Sequence, residues 1–131
     1  MRATVAAASA RRIASAVQPA FAMGAYCSAK AGVAMLTQVA AMELGPEGIR
    51  VNAVGPGLVR TPMTDAMWMT PEIVEEFEEN APLGRHATPE EIADLVAFLA
   101  SHEAAYVSGS LYLVDGGAHT KRYPDFSGMF A

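Results

Sequence analysis

The sequence predicts an α/β fold: a parallel sheet of about three strands with flanking helices. Three observations carry this reading. Short apolar or alternating runs are separated by longer helix-favouring stretches, and strands that alternate with helices favour parallel packing. Gly-Pro breaks fall at the junctions, at Gly45-Pro46 and at Gly55-Pro56-Gly57. Hydrophobic residues make up 52% and charged residues 18%, a balance that supports a packed core and argues against disorder. A length of 131 residues suits one domain or part of one.

Taken in order, Thr4 to Ala8 reads as a short buried strand, although alanine is a poor strand former. Arg11 to Met23 reads as a loop with Pro19 as a breaker. From about Ala25 to Leu44 the chain is rich in Ala, Leu, Met and Gln and free of proline, which favours helix. Gly45-Pro46 is expected to end it, because glycine can cap and proline cannot continue. Ile49 to Val54 alternates Ile49, Val51 and Ala53 with Arg50 and Asn52, the period of a strand. Thr70-Pro71-Glu72 has the parts of a helix start: a capping hydroxyl, proline in the first turn and an acid at the positive end of the dipole. Thr88-Pro89-Glu90-Glu91 repeats the signal with capping-box spacing, and Ile92, Leu95, Val96 and Leu99 follow at helical intervals. Leu111 to Val114 reads as a last strand ended by Asp115-Gly116-Gly117, and the tail from His119 to Ala131 shows no clear period.

Composition narrows the function. The net charge is −5, and lysine occurs only at Lys30 and Lys121, so the basic stripe that nucleic acid requires is missing. No apolar run approaches the roughly 18 residues needed to span a bilayer. Cys27 is the single cysteine, which leaves no internal disulfide and fits a reducing, cytoplasmic setting. The Ala-rich start with Arg11-Arg12 faintly resembles a targeting peptide, but alanine makes a poor apolar segment and folded sequence is the preferred reading. His86, His102 and His119 are scattered without metal-ligand spacing, and no metal is assigned.

Tyr26 and Lys30 stand four apart on the expected helix and therefore share one face. A tyrosine with a pKa of ~10 is a poor proton carrier at neutral pH, and a neighbouring ammonium stabilises its phenolate. Such a tyrosine can exchange a proton with an alcohol oxygen. Taken alone, the pair is a weak signal, and the bland alternative is a packed tyrosine and a solvated lysine. Gly55-Pro56-Gly57 alone reads first as a strand-ending turn. Cys27 points roughly 100° away from Tyr26 around the helix and reads as packing. The run Glu72, Glu75, Glu76, Glu78, Glu79 reads as a solvated helix face.

The surroundings of the pair change this. Tyr26-Cys27-Ser28-Ala29-Lys30-Ala31-Gly32 is followed by Arg50-Val51-Asn52-Ala53-Val54-Gly55-Pro56-Gly57, then Val59, Thr61-Pro62-Met63, Gly84-Arg85, Thr88-Pro89-Glu90-Glu91, Val107-Ser108-Gly109 and Asp115-Gly116-Gly117. The series, in this order, resembles the C-terminal half of the classical short-chain dehydrogenase/reductase family from about Thr4 to about Ala118. The resemblance implies the C-terminal portion of a Rossmann-like doubly wound parallel sheet, and hydride transfer between NAD or NADP and an alcohol or ketone. Tyr26 would be the general acid/base; Lys30 would lower its pKa and hold the nicotinamide ribose. Pro56, Gly57, Val59 and Thr61 match the family's stretch around the nicotinamide end. The family's polarising serine is expected at Ser9, at the end of the first strand, with Ser15 as the other candidate. Met63, Met67, Trp68 and Met69 fall where the family carries a mobile lid. Their soft side chains suit a small apolar alcohol or ketone, and plain helix packing is an equal reading.

The family's glycine-rich dinucleotide loop has no counterpart before Tyr26, nor has the residue that selects NAD or NADP. Residues 1–131 are thus expected to form a single partial NAD(P)-binding domain lacking the N-terminal Gly-rich half, unstable alone or in need of a partner. The resemblance implies a homo-oligomer, a dimer or tetramer, with small residues Ala31, Ala34, Ala40 and Ala41 permitting close helix approach. The alternative to an active enzyme is a truncated, non-catalytic fragment that associates with related full-length subunits.

Overall fold

The computed structural model describes residues 16–62 and 64–124, and the backbone of residues 5–8. Three parallel strands, β1 (Val5–Ala8), β2 (Val51–Pro56) and β3 (Leu111–Val114), form one sheet in the order β1-β2-β3. Val5 to Ala8 pair with Val51 to Val54, and Ala53 to Pro56 pair with Leu111 to Val114. Between them lie α1 (Gly24–Leu44), the single turn α2 (Asp65–Trp68), α3 (Pro71–Asn80) and α4 (Pro89–Ala100).

β2 is the centre of the fold. All six of its residues are buried, as expected for a parallel strand covered on both faces. The helices that lie against it are α1 and α4. Its polar residues are satisfied by backbone. Asn52, fully buried, donates from Nδ2 to the Val107 carbonyl at 2.8 Å and accepts the Ser110 N–H at 3.2 Å. Arg50, just before the strand, donates to the carbonyls of Leu99 (2.7 Å), Ser101 (3.0 Å) and Val107 (3.3 Å). These bonds tie the start of β2 to the end of α4 and to the entry of β3. The alternation of Ile49 to Val54 therefore marks a strand whose polar members face inward partners.

α1 ends at Leu44 with Gly45 as its cap, as Gly45-Pro46 predicts; the chain continues through a 3-10 turn, Gly45–Glu47, before reversing at Gly48 with φ +75°. Proline is accommodated in the first positions of that turn because its missing N–H has no partner there anyway. The element boundaries correct the sequence reading in two places. First, β2 runs two residues past Val54, since Gly55 and Pro56 pair with Leu113 and Val114. Proline is tolerated because pairing with β1 ends at Val54, so Pro56 is paired on the β3 side alone. Second, Thr70 precedes α3 without a side-chain cap. Thr88 does form the expected box: Glu91 N–H donates to its Oγ1 at 3.3 Å and Thr88 N–H donates to Glu91 Oε2 at 2.9 Å. The strand expected over Thr4 to Ala8 appears as Val5–Ala8, with Thr4 outside the described residues.

Candidate active site

In a parallel βαβ unit, the end of the first strand, the start of the helix and the end of the second strand lie at one edge of the sheet. That carboxyl edge is where open α/β sheets bind ligands. Tyr26 is the third residue of α1, and Lys30 follows one turn later. Both are half-buried, and Lys30 Nζ lies 5.4 Å from the centroid of the Tyr26 ring, within cation–π range. The start of α1 is anchored from the opposite end of the chain. Gln18, itself buried, donates from Nε2 to the carbonyls of Ala118 (3.1 Å) and Lys121 (2.7 Å), and the Tyr123 hydroxyl meets Met23 Sδ at 3.8 Å.

Pro56 ends β2, and Gly57, Val59 and Thr61 lie in the loop that follows it. Gly57 N–H donates to Val114 O at 2.9 Å, and a Cβ placed on Gly57 would stand 2.8 Å from Asp115 Cα. Packing against the β3 exit thus requires glycine here in its own right. Asp115 is buried, and its carboxylate accepts the N–H groups of Gly117 (3.0 Å) and His119 (2.9 Å) and contacts His119 Nδ1 at 2.9 Å. Gly116 and Gly117, with φ +62° and +83°, make the turn around it. Val59 forms an isolated parallel bridge to Ala87, and Ala87 N–H donates to Leu58 O at 2.9 Å, which joins the loop to the start of α4.

Thr61 is set by Thr64. Thr64 Oγ1 accepts the Thr61 N–H (2.9 Å) and the Trp68 indole N–H (3.2 Å), lies 2.8 Å from Val59 O, and stands 3.3 Å from Thr61 Oγ1. Thr64 stands three residues after Thr61 and four before Trp68, a spacing that alone does not mark it as a site residue. Trp68 meets the His86 ring edge-on at 4.7 Å and lies under the Arg60 guanidinium at 5.4 Å. His86 Nδ1 contacts Glu78 at 2.6 Å, and Arg122 contacts Glu76 at 2.8 Å. Two members of the acidic run on α3 therefore hold other parts of the chain and are not merely solvated. A cleft of about 120 Å³ opens beside Leu58, lined also by Phe77, Ala81, Ala87, Val114 and Tyr123; Tyr26 and Lys30 do not line it. Ser9, Ser15 and Met63 lie outside the described residues. Among the described residues no group of three or more His, Cys, Asp or Glu side chains could hold a metal, and no helix is long and apolar enough to cross a membrane.

Residues 4–119 match the family profile described as enoyl-(acyl carrier protein) reductase. The chain belongs to the short-chain dehydrogenase/reductase family. It is 50% identical over 105 residues to a short-chain dehydrogenase/reductase of Armillaria gallica, a match covering 76% of this chain and 40% of that protein. It is 47% identical over 93 residues to the meso-2,3-butanediol dehydrogenase of Serratia marcescens, covering 71% of this chain and 36% of that protein. Its backbone superposes on a short-chain type dehydrogenase/reductase from Mycobacterium ulcerans with a TM-score of 0.87 at 36% identity, over 96% of this chain and 45% of that one. Two further similar structures hold a cofactor. One is the NADP complex of Pseudomonas aeruginosa RhlG, with a TM-score of 0.77 and 32% identity over 88% of this chain and 46% of that one. The other is 4-hydroxyisoleucine dehydrogenase with NADH, with a TM-score of 0.83 and 25% identity over 91% of this chain and 48% of that one. The chain thus spans about two fifths or less of the length of the curated relatives.

Proposed function

We propose that residues 1–131 supply the catalytic half of a Rossmann-like, doubly wound NAD(P)-dependent oxidoreductase that acts on a small apolar alcohol or ketone. The observation that carries it is the Tyr26–Lys30 contact, with Lys30 Nζ 5.4 Å from the Tyr26 ring centroid one turn into α1; the parallel order of β1, α1 and β2 supports a site shared with the Pro56–Thr61 segment. Tyr26 passes a proton to or from the substrate oxygen. Lys30 favours the phenolate by its charge. Ser9 is the proposed partner that polarises the same oxygen.

The donor set fits the nicotinamide end of a dinucleotide. Lys30 offers an ammonium to ribose hydroxyls, and Thr61 offers a hydroxyl to the carboxamide, beside Pro56, Gly57 and Val59. When bound, NAD or NADP supplies the hydride acceptor or donor; the residues here hold its reactive end and manage the proton. The relatives include a meso-2,3-butanediol dehydrogenase and a 4-hydroxyisoleucine dehydrogenase, so the substrate is proposed only as a class. A cytoplasmic, homo-oligomeric enzyme is the setting we propose.

A second reading, a non-catalytic piece that associates with related subunits, draws on one observation. Met35, Leu36 and Met42 on α1 are 57%, 64% and 71% exposed, an apolar surface that suits a protein neighbour. Titrating the purified chain into NADH or NADPH separates the two. A saturable change in nicotinamide fluorescence supports the enzyme; no change with either nucleotide supports the second reading.

A further inference from the structure

The segment that carries Thr61 is organised by one side chain. A threonine hydroxyl has one proton and two acceptor positions. Thr64 uses both acceptor positions for N–H groups, those of Thr61 at 2.9 Å and Trp68 at 3.2 Å. Its proton goes to a carbonyl of the same turn, with Val59 O at 2.8 Å and Thr61 O at 3.0 Å. The Thr61 hydroxyl lies 3.3 Å away, where either oxygen could donate; with both Thr64 acceptor positions taken by shorter N–H contacts, Thr61 is the poorer donor to it. Its proton is thereby left for another acceptor, such as an amide carbonyl.

The second donor to Thr64 is fixed from behind. The Trp68 ring contacts both the Arg60 guanidinium, 5.4 Å from its centroid, and the His86 ring, 4.7 Å away at 75°. His86 is in turn held by Glu78 of α3 at 2.6 Å. A continuous set of contacts therefore runs from α3 to the Thr61 backbone. Neither Thr64 nor His86 belongs to the Tyr-Lys pair or to the Pro56–Thr61 segment.

We infer that Thr64 is a positioning residue for nucleotide binding: its hydroxyl, steadied by Trp68 and His86, presents Thr61 to the nicotinamide carboxamide. The inference rests on the NAD(P) reading above. It is tested with Thr64→Val, which keeps the shape and removes the hydroxyl, and Thr64→Ser, which keeps the hydroxyl. Two readouts are taken on the purified chain: NADH and NADPH affinity by nicotinamide fluorescence, and hydrogen exchange at the Thr61 amide. Thr64→Val is expected to weaken affinity about ten-fold, the effect of one good hydrogen bond, and to speed exchange at Thr61. Thr64→Ser is expected to match wild type in both. Trp68→Phe removes the indole donor alone and is expected to weaken affinity about two- to three-fold, so the account does not depend on Thr64→Val folding. Unchanged affinity in Thr64→Val, or an equal loss in Thr64→Ser, overturns the inference while the NAD(P) reading stands. A wild-type chain that binds neither nucleotide overturns both.

Discussion

Replacing Gly57 by alanine separates two reasons for glycine at the end of β2. A methyl group there would stand 2.8 Å from Asp115 Cα, 3.1 Å from its Cβ and 3.4 Å from its carbonyl carbon. Favourable carbon–carbon contacts lie at ~3.5–4.0 Å, so the nearest one is short by roughly 0.7 Å or more. The obstacle is backbone, which cannot rotate aside. Relief requires β2 and the Asp115 turn to move apart, straining the Gly57 N–H bond to Val114 O and the carboxylate network around Asp115. Overpacking of this kind costs about 1–3 kcal/mol. Chemical denaturation followed by far-UV circular dichroism reads that loss directly, with no nucleotide present. A Gly57→Ala chain as stable as wild type would refute the packing argument and leave ligand approach as the only reason for the glycine.

Three further perturbations follow from the same geometry. Asn52→Leu removes the donor to Val107 O and the acceptor for Ser110 N–H. Val107 O keeps Arg50 at 3.3 Å, so most of the cost falls on the buried Ser110 N–H. A net loss of about 1–3 kcal/mol is expected in urea denaturation, and none if solvent reaches that amide. Glu91 has its pKa lowered from 4.5 to about 2, first by its hydrogen bond from Arg85 and then by the Thr88 backbone N–H. A depressed carboxylate pKa adds stability that is present above the unfolded value and lost as pH falls from about 4.5 toward 2. Glu91→Gln keeps the capping box and should flatten that part of a stability–pH curve; an unchanged curve would argue that Arg85 contributes nothing there. Lys30→Met, which keeps the stem and removes the charge, should weaken NADH and NADPH binding and shift the pH profile of turnover to higher pH, whereas a lysine that only packs would leave that profile in place.

Much of the fold was legible because its signals are local. Glycine and proline mark the C-terminal end of α1, proline marks the starts of α3 and α4, and Leu111–Val114 lies where its apolar run ends at Asp115-Gly116-Gly117. What was not legible depends on residues far apart in sequence. Gly55 and Pro56 read as a break, yet pairing with Leu113 and Val114 holds them in β2. Arg50 and Asn52 read only as the polar half of an alternation, because their carbonyl partners lie some fifty residues away. Glu76 and Glu78 read as solvated for the same reason, their partners being Arg122 and His86. At the site, spacing placed Tyr26 and Lys30 on one helical turn. It gave no hint that Gly57 is committed to Asp115, or that Thr64 fixes Thr61.

The central claim is that Tyr26 moves the proton. The most direct test is steady-state oxidation of small apolar alcohols with NAD or NADP by the wild-type protein and by Tyr26→Phe, which keeps the ring beside Lys30 and removes only the hydroxyl. Loss of a general acid/base costs about 10²–10⁴-fold in turnover, and that loss, with nucleotide affinity retained, is the predicted result. Equal turnover in the two proteins would contradict the account and leave Tyr26 as a packing residue at the start of α1.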